Sequence, residues 1–106
     1  MICNVNVFKA LSNQTRLDIL KWLKDPEKEI TSVSCETVRF MMTERGGICV
    51  QDLVKRAGLA QSTVSSYLSM MEKCDLLISE RHGKWTYYRR NEQGIQKLGQ
   101  AVGEEL

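Results

Sequence analysis

The stretch that decides the fold is residues 50–73, VQDLVKRAGLAQSTVSSYLSMMEK. Apolar side chains recur at positions i, i+3, i+4 and i+7 from Val50, which predicts an amphipathic helix of two turns. Gly58 follows this helix at the position where a left-handed backbone turns the chain sharply. A second stripe, at i, i+4 and i+7 from Val64, predicts another helix over residues 61–73. Two short helices joined by a three-residue turn with glycine indicate a helix-turn-helix.

The chain after this motif has the pattern of a β-hairpin. The runs LLISERH and KWTYYRR, within residues 76–90, are rich in β-branched and aromatic residues, which favours strands. A tight turn between the runs is predicted at His82-Gly83. We expect this hairpin to form a wing beside the helix-turn-helix. The aromatic side chains expected to pack in the hairpin, rather than to stack on bases, are Trp85, Tyr87 and Tyr88.

Amphipathic helices are predicted towards both ends of the chain. Residues 2–11 and 91–106 carry apolar side chains three or four positions apart, which is the spacing of one helix face. A further helix, TRLDILKWLK, is expected to begin after an N-cap at Ser12 or Asn13. It is expected to end before Pro26, because the residue that precedes a proline is pushed out of the helical region.

These outer helices carry more apolar surface than one DNA-reading unit needs. We therefore expect a homodimer in which the first helix of one chain packs on the last helix of its partner. The residues expected at this interface are Val5, Phe8, Ile95, Leu98 and Val102. A twofold dimer of this kind sets two DNA-reading helices about 34–36 Å apart, in successive major grooves of an inverted repeat.

Residues 25–47 are the least regular part of the chain and are interpreted as an insert or linker. Within this insert, CETVRFMMTER predicts a short helix that Gly46-Gly47 would stop. Three roles stay open for the insert: lining a small-molecule pocket, covering the dimer interface, or forming a solvated excursion without a role.

The elements follow the order helix, helix, linker, helix, helix, hairpin, helix. The predicted fold class is therefore mainly α-helical with a β-hairpin, a dimeric winged helix-turn-helix in a single domain over residues 1–106. A chain of 106 residues with 42% hydrophobic and 26% charged residues is typical of one globular domain and not of a disordered chain. It shows no basic segment followed by a long apolar run, so we expect no signal peptide, no membrane span and a cytoplasmic protein.

The front of the helix over residues 61–73 predicts sequence-specific binding to duplex DNA. A helix that enters the major groove needs small or polar side chains facing the bases, and here hydroxyls replace the Lys and Glu usual on a solvated helix. Residues 49–90 carry seven Lys/Arg against four Asp/Glu, an excess typical of a phosphate-facing surface. The residues expected to contact DNA are Gln61, Ser62, Thr63, Ser65, Ser66, Tyr67 and Ser69 of this recognition helix and Arg81, His82, Gly83 and Lys84 of the hairpin tip. Tyr67 lies on the flank, where it would reach a phosphate or pack against the hairpin.

The residue inventory argues against catalysis. The chain has one histidine, no recognisable pair of carboxylates, no glycine-rich phosphate loop and no nucleophile motif, so an enzyme is not predicted. No cofactor and no metal site are predicted either. A winged-helix module that binds protein instead of DNA stays open as an alternative.

The four cysteines are expected to be reduced thiols, because Cys3, Cys35, Cys49 and Cys74 include no C-x-x-C pair. Cys49 lies at a predicted helix N-terminus, a place that lowers the pKa of a thiol. With Cys35 or Cys3 close in space, Cys49 would form a redox switch or a soft-metal site. The alternative is that Cys49 is simply a small buried apolar residue.

Two stretches, KALSNQTRLDILKWL and CVQDLVKRAGLAQSTVSSYLSMMEKCDLLISERHGKWTYYRRNE, resemble the ArsR/SmtB family of winged-helix repressors. The resemblance covers most of the chain outside residues 25–47. It implies a dimeric repressor of a stress, metal or metabolic operon that leaves DNA when an inducer binds. Metal-sensing members carry a C-x-C-D-L type motif, whereas this chain has CVQDL, with Gln51 at the second thiol position. The last helix has no histidine for the family's other metal site, Ala60 replaces the usual capping serine, and Tyr67 replaces a common histidine.

Overall fold

The structure is a computed structural model that describes residues 4–106. Over this range it is mainly helical, with a small antiparallel sheet. In chain order the elements are α1 (Val5–Leu11), α2 (Gln14–Lys24), α3 (Pro26–Glu29), α4 (Cys35–Phe40), a π-helical turn (Met41–Arg45), β1 (Ile48–Cys49), α5 (Val50–Ala57), α6 (Gln61–Lys73), β2 (Leu77–His82), β3 (Trp85–Arg90) and α7 (Glu92–Glu105). No helix in this range combines the length and the apolar character needed to cross a membrane.

The helix-turn-helix forms as the apolar spacing predicted. Helices α5 and α6 have the predicted bounds, and Leu53 and Leu68 lie fully buried on their facing sides. Gly58 adopts a φ of +68° and its N–H donates to the carbonyl of Val54 at 3.0 Å. A side chain at this φ would be strained, so glycine is what permits the sharp turn between the helices.

Asparagine and serine side chains begin several of the helices. The carboxamide oxygen of Asn13 accepts from the N–H of Arg16 at 3.1 Å, which identifies Asn13 and not Ser12 as the N-cap of α2. Helix α2 ends at Lys24, as expected from Pro26, and that proline takes the first position of α3.

The sheet has one strand more than predicted. Strands β2 and β3 form the hairpin, with Gly83 and Lys84 as its two turn residues, so the turn lies one residue later than predicted. Strand β1 adds to the other edge of β3 through the pair Ile48–Tyr88, giving the order β1-β3-β2. A two-residue strand has no periodicity of its own, which is why the sequence pattern missed it.

The insert holds more structure than the sequence indicated. The predicted short helix is present as α4 and continues through the π-helical turn to Arg45, where Gly46 ends it with a φ of +76°. The small helix α3 was not predicted. Ile30, Val38 and Met41 of the insert are buried in the core, which excludes a purely solvated excursion.

Hydrogen bonds and an ion pair attach the insert to α5. The Ser32 hydroxyl donates to the carboxylate of Asp52 at 2.6 Å, and Asp52 is only 7% exposed. The guanidinium of Arg56 donates to both the backbone carbonyl and the carboxylate of Glu29 while it covers the ring of Trp22 at 4.6 Å. The first helix of the helix-turn-helix is therefore held against the insert along its length.

One hydrophobic core joins the elements other than α3. Its fully or nearly buried members are Ala10, Ile19, Trp22, Leu23, Ile30, Val38, Met41, Ile48, Leu53, Val64, Leu68, Met71, Leu76 and Leu77. Tyr87 and Tyr88 pack on this cluster from β3, as expected for hairpin core residues. Trp85 is only half-buried, and the ammonium of Lys84 lies 5.2 Å from its ring centre.

Candidate nucleic-acid interface

The exposed side of α6 carries a row of hydroxyls. Ser62, Ser66 and Ser69 are exposed at spacings of four and three residues, so they share one face of the helix. The opposite face holds the three side chains that are fully buried, Val64, Leu68 and Met71. Apolar packing therefore fixes the helix from behind and leaves the three serines facing outward. We call Ser62, Ser66 and Ser69 the hydroxyl row.

The other predicted contacts on α6 lie around this row. Gln61 is exposed in the first turn of the helix, where the backbone N–H groups carry partial positive charge. Thr63 and Ser65 are half-buried on the two flanks. Ala60 occupies the N-cap position and supplies no side-chain hydrogen bond, so those N–H groups are left without a side-chain cap.

Tyr67 contacts the start of α2. Its ring lies beneath the guanidinium of Arg16, whose central carbon is 4.8 Å from the ring centre, and its hydroxyl is 3.5 Å from the carboxamide nitrogen of Asn13. Both partners belong to the start of α2. Tyr67 therefore braces α6 against α2.

Arg16 also joins α2 to the end of α1. Its Nε donates to the carbonyl of Ala10 at 2.6 Å and its Nη2 donates to the carbonyl of Lys9 at 3.0 Å. These carbonyls end a helix, where backbone acceptors lack partners within the helix. One side chain thus caps α1 and stacks on Tyr67 of α6.

Three residues of the wing tip are exposed as expected. Arg81, Gly83 and Lys84 project from the end of the hairpin, and Gly83 has a φ of +64° with open space where a Cβ would lie. Arg81 donates from Nε to the Gly83 carbonyl at 3.0 Å. None of the ion pairs within residues 4–106 involves Arg81 or Lys84, so both charges face solvent.

His82 is turned towards the insert and is not a free tip residue. Its Nε2 lies 3.1 Å from the carbonyl of Arg45 and 3.6 Å from the carboxylate of Glu80, and its ring meets that of Tyr87 edge to face. The expectation that His82 lies along DNA is therefore not supported by the ring's position. His82 therefore attaches the tip end of β2 to the insert.

Arg89 makes a second contact between the wing and the insert. Its guanidinium donates to the Gly46 carbonyl at 2.9 Å and pairs with the carboxylate of Glu80. A Cβ at Gly46 would overlap that carboxylate. In the sequence, the only sign of this close approach is Gly46 itself, one of the two glycines predicted to end the short helix of the insert.

The expectation that its helix N-terminus lowers the pKa of the Cys49 thiol is wrong. Burial raises the pKa of the Cys49 thiol and outweighs the N–H of Gln51, which lowers it. Cys49 packs half-buried against the core, as its alternative interpretation predicted. Cys35 is exposed and its thiol lies 3.8 Å from the carbonyl of Glu27.

Cys74 is the third cysteine that the structure describes. Cys74 is half-buried, with a pKa raised by burial, and its thiol points to the carbonyl of Asn6 at 3.6 Å. Cys3 lies outside the described residues. Residues 4–106 contain no group of three His, Cys, Asp or Glu side chains placed to hold a metal ion.

The residues predicted at a dimer interface divide into two sets. Val5, Phe8 and Val102 are exposed by 65%, 43% and 38% of their surface. Ile95 and Leu98 are partly buried against the chain's own core. The first set is available to a partner, whereas the second mainly fixes α7 to its own chain.

The chain is similar to bacterial regulators in sequence. Residues 40–79 match the model of the family described as "Bacterial regulatory protein, arsR family". The chain is 37% identical over 105 residues to a protein of Bacillus subtilis described as "Uncharacterized HTH-type transcriptional regulator YbzH", across 96% of this chain and 97% of that protein. It is 29% identical to the arsenical resistance operon repressor of the same organism, across 93% of this chain and 73% of that protein.

Solved structures show the same fold. A homodimeric winged helix-turn-helix DNA-binding domain, Mb0332 from Mycobacterium bovis, matches with a TM-score of 0.60 and 25% identity over 94% of this chain and 77% of that chain. An ArsR family transcriptional regulator, RHA00566, matches with a TM-score of 0.66 over 94% of this chain and 82% of that chain; at 16% identity, this likeness concerns the fold alone.

Proposed function

The chain belongs to the ArsR family of bacterial regulatory proteins, and we propose that it binds an inverted-repeat operator as a homodimeric, effector-responsive repressor. It is a DNA-binding transcriptional regulator of this family and not an enzyme. The binding of an inverted-repeat operator by a homodimer and the response to an effector are our proposals.

The hydroxyl row of α6 is the observation that carries the DNA contact. Its three serines are exposed on a helix whose other face is fully buried. A rigid helix with short side chains on its front can bring its backbone close to base edges, and serine hydroxyls bond to bases and phosphates alike. The exposed cations Arg81 and Lys84 at the wing tip would contact the flanking phosphates.

Exposed apolar side chains on α1 and α7 support the homodimer. Val5 and Phe8 on α1 and Val102 on α7 leave a large part of their surface in water. Contact with the same residues of a second copy would remove this surface from water at about 25 cal/mol per Å². The similar domain Mb0332 is homodimeric.

A small-molecule effector is favoured over an oxidant or a soft metal. Two relatives are named as arsenical resistance operon repressors. In this chain the pKa of Cys49 is raised, and Gln51 takes the neighbouring thiol position. A thiolate is the form that reacts with oxidants and binds soft metals, so this site is poorly prepared for either signal.

The test begins with DNA fragments selected from the host genome by the purified protein. Ser66→Glu should abolish binding to a selected duplex, because it sets a carboxylate against the phosphates and base edges. Thr43→Glu adds the same charge at an exposed position of the insert and should bind like the unmodified protein. Equal binding by both variants, or no binding to any duplex at low salt, would contradict the proposal.

The homodimer is tested separately by sedimentation. Val102→Glu should shift the protein towards monomer, because it would bury an unpaired charge in the interface. Gln100→Glu, exposed on the same helix, is the matched control. A dimer that tolerates Val102→Glu at micromolar concentration would place the interface elsewhere.

A further inference from the structure

A groove of about 710 Å³ runs between α1 and the C-terminal half of α6. We propose that this groove binds a small organic anion with an apolar body, and that the bound anion excludes DNA. The exclusion of DNA rests on the proposed function, whereas the binding site itself does not.

Part of the lining of the groove is apolar. Met70 of α6 is 38% exposed and offers apolar surface to a ligand, whereas Val7 of α1, which also lines the groove, is only 5% exposed. The contact of the Cys74 thiol with the Asn6 carbonyl joins α1 to the turn after α6. The volume lies within the range of about 300–1,000 Å³ that is typical of small-molecule sites.

The charges around the groove favour an anion. Lys9 lines it from α1 and Lys73 lines it from α6, and neither ammonium takes part in an ion pair within residues 4–106. Asp75 is the single acidic residue of the lining. The exposed apolar side chain of Met70, together with two unpaired ammonium groups, is complementary to an aromatic or aliphatic carboxylate, sulfonate or phosphate.

The groove and the DNA-facing surface share two side chains. Ser66 and Ser69 belong to the hydroxyl row and also line the groove. A ligand seated there would cover these hydroxyls and place negative charge where a phosphate strand would approach. DNA and the anion would therefore compete for one surface, and each would weaken the binding of the other by the same factor.

The binding site is tested with sodium naphthalene-1-sulfonate and the full chain. A titration followed by two-dimensional ¹H–¹⁵N NMR should shift the backbone signals of the groove residues on α1 and α6. Met70→Glu and Lys9→Glu should each weaken binding by about tenfold or more, because each adds a negative charge to the groove. Lys28→Glu makes the same charge change as Lys9→Glu on α3 and should leave binding within about twofold.

The site would be overturned by a titration without shifts, by shifts confined to the exposed apolar residues of α1 and α7, or by equal binding to all variants. If a second copy of the chain fills the groove, the titration would also give no shifts, and the proposed site would be overturned. Retained folding of Met70→Glu is checked in the same spectra.

The competition is tested with a fluorescent duplex that the protein binds. Saturating naphthalene-1-sulfonate should release this duplex from the unmodified protein, and sodium chloride at equal ionic strength should release less of it. Simultaneous binding of both ligands would overturn the competition and leave the site intact. A protein that binds the sulfonate but no duplex would contradict the proposed function instead.

Discussion

The guanidinium of Arg16 stacks on Tyr67, with 4.8 Å between the guanidinium carbon and the ring centre, while its nitrogens bind the last carbonyls of α1. The orientation of α6, the proposed recognition helix, is thus tied to the junction of the first two helices. This contact holds the hydroxyl row in place from a distance, since neither residue belongs to the row.

Arg16→Ala should lower the free energy of unfolding by about 1–2 kcal/mol, because it removes a cation–π contact and two charged hydrogen bonds in a half-buried setting. Urea denaturation measures the change. Arg39→Ala serves as the control: its ion pair with Glu27 is formed by side chains that are 61% and 45% exposed, and exposed pairs contribute about 0–1 kcal/mol. Equal effects of the two changes would contradict the bracing role.

Gly47→Ala should destabilise the protein more than Gly58→Ala. A Cβ at Gly47 would overlap the backbone carbonyl of Tyr88, so β1 and β3 would have to separate. Gly58 has open space around that position, so Gly58→Ala is destabilised only by the φ of +68°. This strain costs about 1 kcal/mol. We expect about 2–3 kcal/mol for Gly47→Ala, and equal midpoints in thermal denaturation of both variants would show that β1 is not held as described.

Iodoacetamide at pH 7 should modify Cys35 well before Cys49. Cys35 is exposed, whereas burial raises the pKa of Cys49 and keeps its thiol protonated in neutral solution. The rate at Cys49 should therefore rise at a higher pH in the folded protein than in the same chain unfolded in urea. Mass spectrometry of the derived peptides follows both sites, and faster modification of Cys49 at pH 7 would revive the thiol-sensing interpretation.

Lys84→Ala should weaken the binding of selected and random duplexes by a similar factor. An exposed ammonium at the wing tip is suited to a phosphate and carries no sequence information. The slope of log K against log salt should fall in magnitude by about one. Lys97→Ala on α7 is the control and should leave the slope unchanged; a changed sequence preference in Lys84→Ala would indicate a base contact instead.

The local parts of the candidate site could be predicted from the sequence. The hydroxyl row follows from the position of each serine relative to Val64, Leu68 and Met71, since a helix repeats every 3.6 residues. The exposure of Arg81 and Lys84 follows from the hairpin pattern, which places both residues close to the predicted turn. The position of His82 could not be predicted, because its partner is a backbone carbonyl 37 residues away.

Taken alone, the sequence determined the helix-turn-helix, the hairpin and the short helix of the insert, since periodic apolar spacing and glycine positions act within a few residues. Only the tertiary structure decided that β1 completes the sheet, that the insert binds the wing through Arg45 and Gly46, and that Tyr67 lies beneath Arg16. These contacts join segments far apart in the chain. Their energy depends on distances that arise once the core has packed, and no local pattern of residue types records them.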